Sequence, residues 1–471
     1  MPTPITRLVV LMLENRSFDH MLGFLKQTNA AINGLTGDEW NYPAAEGTVN
    51  VTVSDDAGDV EDLNPDPNHE FAHVTNQISS TGDPVGNPDM KGFVRDYFED
   101  CNDATHAAGI MKCFTPQTLP ILSTLATQYG VCDRWFSSVP GSTIPNRCFV
   151  HGASSAGSLT QDAIAAPFML HTIFESFDDT TPHDYAIYTA GSSILLANKY
   201  LIQNMGKFHP YANFVVDATS GNLPAYTFIE PAYDDDGEGT FASSQHPDFP
   251  VDRGEGLIRE IYYALTKSPD WNSTLFLILY DEHGGIFDHV SPPVLTRNPI
   301  FSNLPDVEHS GPPDVFDFTR LGVRVPAVFV SPCIPPNTVI NDRDYDHCSV
   351  VSTVRKLFCN PTSQPLNWRE AQAATFENVL TLTGSNIRTD VVNLPDPVVS
   401  AGVNISAAAD TPILRAPTDL TVLMAGAMQY SLQQQGLQPP GDYTTLTNST
   451  QVSAYLKQAQ QILQNAAGDG Q

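Results

Sequence analysis

Two stretches decide how this chain folds: Leu8-Val9-Val10-Leu11-Met12-Leu13, followed at once by Glu14-Asn15, and Leu275-Phe276-Leu277-Ile278-Leu279-Tyr280, followed by Asp281-Glu282. Neither alternates apolar with polar residues. Each is apolar throughout, the pattern of a strand covered on both faces. A third run, Val325–Val330, contains Pro326 and reads as an edge strand or a strand start, because proline cannot donate to a ladder. Helical stripes separate these runs. Phe18, Met21, Leu22 and Leu25 share one face with Ser17 available as cap, and Thr115-Pro116 opens a helix that Gly130 closes. Leu257, Ile258, Ile261, Tyr262 and Leu265 stripe another helix ending at Lys267, and Val350, Val351, Val354, Leu357 and Phe358 a further one. Strands alternating with helices predict an α/β fold, a central mainly parallel sheet flanked by helices.

Long stretches interrupt that pattern. Residues 34–92 are rich in Asp, Gly and Pro, and residues 291–320 contain Pro292-Pro293 and Pro312-Pro313. Insertions of this length are usually lids or binding loops. Past about residue 395 the composition turns to Ala, Thr and Gln; Val452, Tyr455, Leu456, Ala459, Ile462 and Leu463 then form one amphipathic helix ending before Gly468. The expected organisation is a catalytic body over residues 1–395 and a helical C-terminal extension, 396–471, packed on it.

Composition excludes several classes. The 471 residues carry 23 Lys+Arg against 53 Asp+Glu, a net charge of −30 that repels phosphate backbones, so nucleic acid is not an expected partner. No apolar run approaches the roughly 18–20 residues a spanning helix needs, leaving at most transient contact with a membrane surface. The run Leu8–Leu13 is short for a signal-peptide core and is closely followed by Glu14 and Arg16. The seven cysteines form no C-x-x-C pair, and their odd count leaves a free thiol, which favours a reducing compartment. A cytoplasmic location is expected, with a secreted mature form as the alternative that sequons at Asn50, Asn272, Asn404 and Asn448 suggest.

The chemistry is expected where the apolar runs end. Ligands of parallel α/β sheets bind beyond the carboxyl ends of strands, so Glu14, Asn15, Asp281 and Glu282 could converge there. Crowded carboxylates repel unless a cation lies between them, and an all-oxygen set suits Ca²⁺, Mg²⁺ or Mn²⁺. Alternatively, such acids simply mark strand ends turning into solvent. Thr143 precedes Pro145 in Ser142-Thr143-Ile144-Pro145-Asn146-Arg147, which puts its hydroxyl at a helix N-terminus, favourable to an alkoxide and an incoming phosphate. The plain alternative is a helix cap.

Both signals gain weight from motifs that recur in order. They are Glu14-Asn15-Arg16-Ser17-Phe18-Asp19-His20, Asp66-Pro67-Asn68-His69, Thr143-Ile144-Pro145-Asn146-Arg147, and Leu223-Pro224-Ala225-Tyr226 with Ile229-Glu230-Pro231. His246-Pro247 leads to Gly254-Glu255; then come Asp281-Glu282-His283-Gly284-Gly285 with Asp288-His289-Val290, and Asp346-His347-Cys348-Ser349. In these the chain resembles the phosphoesterase family that contains non-specific phospholipases C and a group of bacterial acid phosphatases. The resemblance ends before the tail. It implies an alkaline-phosphatase-like fold, with Glu14, Asn15, Asp281 and Glu282 holding one divalent metal ion. It implies Thr143 as a nucleophile touching that metal, and His69 and His246 lining the phosphate site. His347 and the Asp288-His289 pair fall in family motifs with less defined roles, His347 being carried as a further catalytic candidate.

The expected reaction is phospholipase C-type hydrolysis of phospholipids through a phosphothreonine, with a histidine as general acid and base. Two alternatives stand beside it: a phosphatase acting on small phosphomonoesters, and a catalytically silent binding protein. Thr143-x-Pro145-x-Arg147 also echoes the sulfatase signature, whose leading Cys or Ser becomes formylglycine. Threonine would give a ketone, which disfavours sulfate esters. No ligand set for a second metal is apparent, so one metal is expected.

Overall fold

The computed structural model describes residues 5–44, 49–58, 62–160, 165–177, 183–236, 239–306, 316–398 and 416–468; Pro312-Pro313 and Asn404 lie outside them. The strands of the main sheet are β1 (Arg7–Leu13), β2 (Gly130–Cys132), β3 (Tyr185–Thr189), β4 (Phe208–Pro210), β5 (Tyr226–Glu230), β6 (Thr274–Tyr280), β7 (Ala327–Val330) and β8 (Thr338–Ile340). They lie side by side in the order β8-β2-β7-β6-β1-β5-β3-β4. The two deciding runs, β1 and β6, are neighbours in parallel register, Arg7 opposite Thr274 and Leu13 opposite Tyr280. Every residue of β6, and all of β1 after Arg7, is buried, as strands covered on both faces require.

Three expectations change. The run around Pro326 is not an edge: Pro326 precedes β7, which lies inside the sheet, antiparallel to both β6 and β2. The proline sits outside the ladder and removes no bond from it. The helix placed between Thr115 and Gly130 is shorter, Pro120–Gln128, with Pro120 at its first position, and Gly130 instead opens β2. The stretch 34–92 is not wholly irregular. It carries a two-stranded ribbon, Trp40–Asn41 with Val51–Thr52, and a helix, Phe71–Ile78. With Phe93–Cys101 these elements enclose a second apolar cluster, including Leu35, Val74, Ile78, Phe93 and Tyr97, closed by Ile286 and Phe287.

Helices Pro120–Gln128, Tyr211–Thr219 and Val251–Thr266 pack on the sheet and on one another, and Thr143–Gly152 packs on Cys348–Phe358. Beyond residue 415 two helices, Asp419–Gln434 and Ser449–Gly468, pack together, and their Met424, Met428, Leu432, Leu456 and Leu463 join the main core. The first is anchored to the body by Asp234, whose Oδ2 accepts from Thr418 N (3.1 Å) and Thr421 Oγ1 (2.8 Å). None of the helices among the described residues is long and apolar enough to cross a membrane.

One motif is explained by this framework. Glu255 is buried, and its two oxygens accept the Ile121 and Leu122 N–H groups, both at 2.7 Å, at the open start of helix Pro120–Gln128. Gly254 beside it leaves no room for a Cβ, which would sit 2.2 Å from Gln245 Cγ. Gly254-Glu255 is therefore a packing motif. Glu255→Ala strands two buried donors and is expected to cost about 1–3 kcal/mol in denaturant titrations. Turnover per folded molecule should hold; lost turnover at unchanged stability would assign Glu255 to chemistry instead.

Candidate active site

The register that sets Leu13 opposite Tyr280 carries Glu14 and Asp281 out of the same sheet edge as neighbours. Asp281 organises that edge. Its Oδ1 accepts from Asn15 N (3.0 Å) and Glu282 N (2.8 Å), and its Oδ2 accepts from Arg147 Nε (2.9 Å). Asn15 is in the left-handed region at φ 53°, which asparagine tolerates better than most residues. The turn after Glu282 folds back over it. A Cβ on Gly284 (φ 64°) would lie 2.3 Å from Asn15 O, and one on Gly285 (φ 69°) 2.8 Å from Asn68 O. The Gly-Gly pair thus lets the strand end close against both Asn15 and the Asp66–His69 segment.

That closure brings His69 to the strand ends. Its Nδ1 lies 2.8 Å from Pro67 O, and its Nε2 faces Asn15 Nδ2 (3.2 Å) and Glu282 Oε1 (3.6 Å). Burial opposes charging the ring, but Glu282 and Asp66 outweigh it and raise His69 to about 9. His246 is also buried, with Nε2 3.7 Å from Asp66 and Nδ1 3.3 Å from Asp248. Against the same burial, Asp66, Asp248 and Glu14 raise it to about 10. Acidic neighbours thus favour the protonated form of both imidazoles, with Asp66 between them.

Thr143 is the first residue of helix Thr143–Gly152, and Ser142 occupies the cap position. The Thr143 hydroxyl is thus not used up as a cap; Oγ1 lies 3.5 Å from Asn15 Oδ1. One turn along, on the same face, Arg147 locks the helix to the strand ends. Besides Asp281 it donates to Leu13 O (Nη2, 3.1 Å) and Tyr233 Oη (Nη1, 2.8 Å), and it lies 3.9 Å from Glu14 Oε1. Sequence reasoning missed Arg147 and Asp66. Both fall inside motifs quoted above, Thr143–Arg147 and Asp66–His69, but were given no role there; the i, i+4 spacing of Thr143 and Arg147 was a further signal for the first.

The remaining candidates lie elsewhere. His347 is buried behind Asp281: Trp135 Nε1 donates to its Nδ1 (3.3 Å), and its Nε2 donates to Asp281 O (2.5 Å). Burial lowers its pKa. Against the expectation of a catalytic role, neither nitrogen is left for a substrate, and His347 positions the Asp281 backbone. Asp288 and His289 form a metal-like cluster with Asp19, but Arg324 already fills it, donating to Asp288 Oδ1 (3.0 Å) and Asp19 Oδ1 (3.0 Å). His20 and His283 are core residues, bonded to Lys112 O (2.9 Å) and Gln77 Oε1 (2.8 Å) respectively.

The donor chemistry fits a hard divalent cation. Both oxygens of Glu14 (Ser244 lies near but closes no well-formed bond) and Glu282 Oε1 are buried without a hydrogen-bond partner. Burial raises Glu14 to about 7 and Glu282 to about 8. Carboxylate oxygens sealed from water and left without donors are what a cation would satisfy. Among the described residues the three carboxylates do not form a set of ligand atoms all within 4.8 Å of one another, and Asp281 already accepts from Arg147 and two N–H groups. Its Oδ2, with one donor, keeps a lone pair.

Known proteins resemble this chain in sequence. The chain is 40% identical over 393 residues to non-specific phospholipase C6 of Arabidopsis thaliana, covering 80% of this chain and 72% of that protein. It is 26% identical over 418 residues to phospholipase C B of Mycobacterium tuberculosis, covering 78% and 76%. A solved alkaline phosphatase superfamily protein from Vibrio parahaemolyticus aligns with a TM-score of 0.33 at 13% identity over 55% of this chain and 64% of that one, a likeness too slight to bear on function. The Phosphoesterase family model matches residues 5–359, which span the sheet, Thr143, both flanking histidines and all four strand-end residues, and the chain belongs to that family.

Proposed function

We propose that this phosphoesterase is a phospholipase C, cleaving phospholipids on the glycerol side of the phosphate with Thr143 as nucleophile. The observation that carries the reading is the gathering of Thr143, Asn15, the orphaned Glu14 and Glu282 oxygens, and the buried His69 and His246 at one sheet edge. The names of the relatives supply the substrate class.

Glu14, Asn15, Asp281, Glu282 and Thr143 would hold one hard divalent cation of the Ca²⁺, Mg²⁺ or Mn²⁺ type. Such an ion lowers the pKa of a nearby hydroxyl and neutralises phosphate charge. The helix start at Thr143 favours the developing alkoxide and the incoming phosphate oxygens. His69 and His246 bind the phosphate. Thr143 gives up its hydroxyl proton to solvent and its Oγ1 attacks phosphorus in line; the bond to the glycerol oxygen breaks, and His246 gives that oxygen its proton, releasing diacylglycerol. The neutral imidazole then takes a proton from water, whose oxygen attacks the phosphothreonine; the bond from phosphorus to Oγ1 breaks, Oγ1 leaves as the alkoxide and takes a proton back from solvent, and the phosphorylated head group is freed. Arg147 keeps the helix and the strand ends in one frame throughout. The insertions 34–92 and 291–320 meet where Ser291 Oγ donates to Pro88 O (2.9 Å), which supports their forming the substrate mouth together.

The test compares release of phosphocholine from phosphatidylcholine with release of phosphate from an aryl phosphate. A larger kcat/KM for the lipid is expected; preference for the aryl ester would replace the phospholipase reading with a phosphomonoesterase. Glu14→Gln removes one of the unpartnered carboxylates and is expected to empty the site of divalent metal. Elemental analysis of purified wild type and variant reads this directly, and equal metal content would remove Glu14 from the ligand set.

A further inference from the structure

One arginine beside the site lacks an anionic partner among the described residues. Arg320 ends the 291–320 insertion, and 4% of its surface is exposed. Its neighbours place it. Leu321 N donates to Pro293 O (3.0 Å), and Gly322 N donates to Ser137 O (2.9 Å), in the segment that leads to Thr143. That approach is close: a Cβ on Gly322 would lie 2.0 Å from Ser137 Oγ and 2.5 Å from Val139 O. On its other side the Arg320 guanidinium carbon lies 5.9 Å from the Phe71 ring centroid and 5.7 Å from that of Phe316. Phe71 opens the helix that follows His69. Arg320 therefore stands between the two segments that deliver Thr143 and His69.

Other buried arginines of this acidic chain are satisfied. Arg147 pairs with Asp281, Arg324 with Asp19 and Asp288, and Arg369 with Asp346, while Arg16 donates to Gln245 O (2.7 Å). Arg320 has no such contact. Nη1 is sealed with no hydrogen-bond partner, while Nε and Nη2, which bond none of the described residues, are not sealed. Asp317 is the carboxylate whose field reaches Arg320, but its Oδ1 is taken by Thr319 N (3.0 Å) and Thr319 Oγ1 (2.7 Å). Burial lowers Arg320 to about 10, which leaves it cationic at neutral pH. The two aromatic faces attract the cation but offer its N–H groups no acceptor oxygen. A buried charge without a counter-charge is costly, and in a chain of net charge −30 a carboxylate partner would be the ordinary solution. The planar fork left without one matches the oxygens of a phosphate, which it engages through two parallel N–H donors.

We propose that Arg320 is a binding residue of the substrate mouth and takes a phosphate oxyanion of the ligand. The proposal rests on the reading of the 291–320 insertion as part of that mouth, and it adds a residue from outside the motifs quoted above. The oxyanion belongs to the lipid being cleaved or to a free phosphate ion; the chemistry is shared.

The experiment titrates sodium phosphate into the full chain by calorimetry at constant ionic strength, with phosphatidylcholine hydrolysis measured in parallel. Arg320→Gln is expected to weaken phosphate at least about tenfold. Arg320→Lys keeps the charge but loses the fork, and is expected to bind with an affinity between the two. Thermal unfolding checks that both variants are folded, and the lysine variant alone decides the matter where the glutamine variant does not fold. Absent phosphate binding by wild type, or wild-type affinity in the folded variants, overturns the proposal. So does a lower kcat in Arg320→Gln at unchanged KM and unchanged phosphate affinity, which a purely structural role would produce. Weakened phosphate with a raised KM for phosphatidylcholine identifies the lipid as the source; weakened phosphate with unchanged KM identifies a free ion, and both uphold the residue. Phosphate binding that depends on Arg320 without any lipid hydrolysis removes the phospholipase reading alone. Lipid hydrolysis with phosphate binding independent of Arg320 removes this proposal alone.

Discussion

Thr143→Ala is expected to lower turnover on phosphatidylcholine by at least about 10⁴-fold, or roughly 5 kcal/mol of transition-state stabilisation. The reason is specific to one atom. The hydroxyl is the proposed bond-forming group, whereas its contribution to packing is a single 3.5 Å contact with Asn15. Thermal stability should therefore stay within about 1 kcal/mol of wild type. Thr143→Ser keeps the hydroxyl and should retain measurable turnover, and mass spectrometry of quenched wild-type reactions should find a phosphorylated peptide that contains Thr143. Alanine at 143 with near-normal turnover would end the nucleophile assignment. Inactivity of both variants with an intact fold would mean that the methyl group sets the placement of the hydroxyl.

The second large effect is on stability. Arg324 is completely buried and holds Asp19 and Asp288, also completely buried, in one network that reaches Asn33 O (2.8 Å) and Asp133 O (2.9 Å). Its positive charge keeps Asp19 below the usual carboxylate range against the burial that would raise it. Arg324→Met preserves bulk but leaves two sealed carboxylates with His289 as their remaining cation. Breaking a buried pair this way costs about 3–5 kcal/mol. A lower urea midpoint, or failure to accumulate as soluble protein, is the expected result. Unchanged stability with an additional divalent ion bound would instead show that Asp19, Asp288 and His289 can hold an ion once Arg324 is gone.

How much of this was legible in the sequence depends on the range of the interaction concerned. Fully apolar β1 and β6 announced a sheet covered on both faces, because burial on both faces is written locally in each run, and their trailing acids marked where a candidate site was to be sought. Ser17 was readable as a cap and does accept the His20 N–H (3.2 Å). The helix Asp419–Gln434 was not read, since its apolar residues are diluted by Ala, Gly and Gln that become core only against the body. Pro326 misled for a similar reason: a proline argues against an inner strand only if it falls within the ladder, and where the ladder begins is set by neighbouring β2 and β6.

The histidines divide along the same line. Motif position selected His69, His246 and His347 together, but the partner of each ring nitrogen is fixed by residues up to 212 positions away, as with Trp135 and His347. By itself the sequence determined the fold class, the family resemblance and the strand-end residues, because each rests on short-range pattern. Only the tertiary structure decided that His347 props the backbone of Asp281, that Arg147 and Asp66 belong to the site, and that the tail joins the main core. Those assignments depend on which distant groups share one buried space, where an unmatched charge or donor is costly enough to dictate its neighbours.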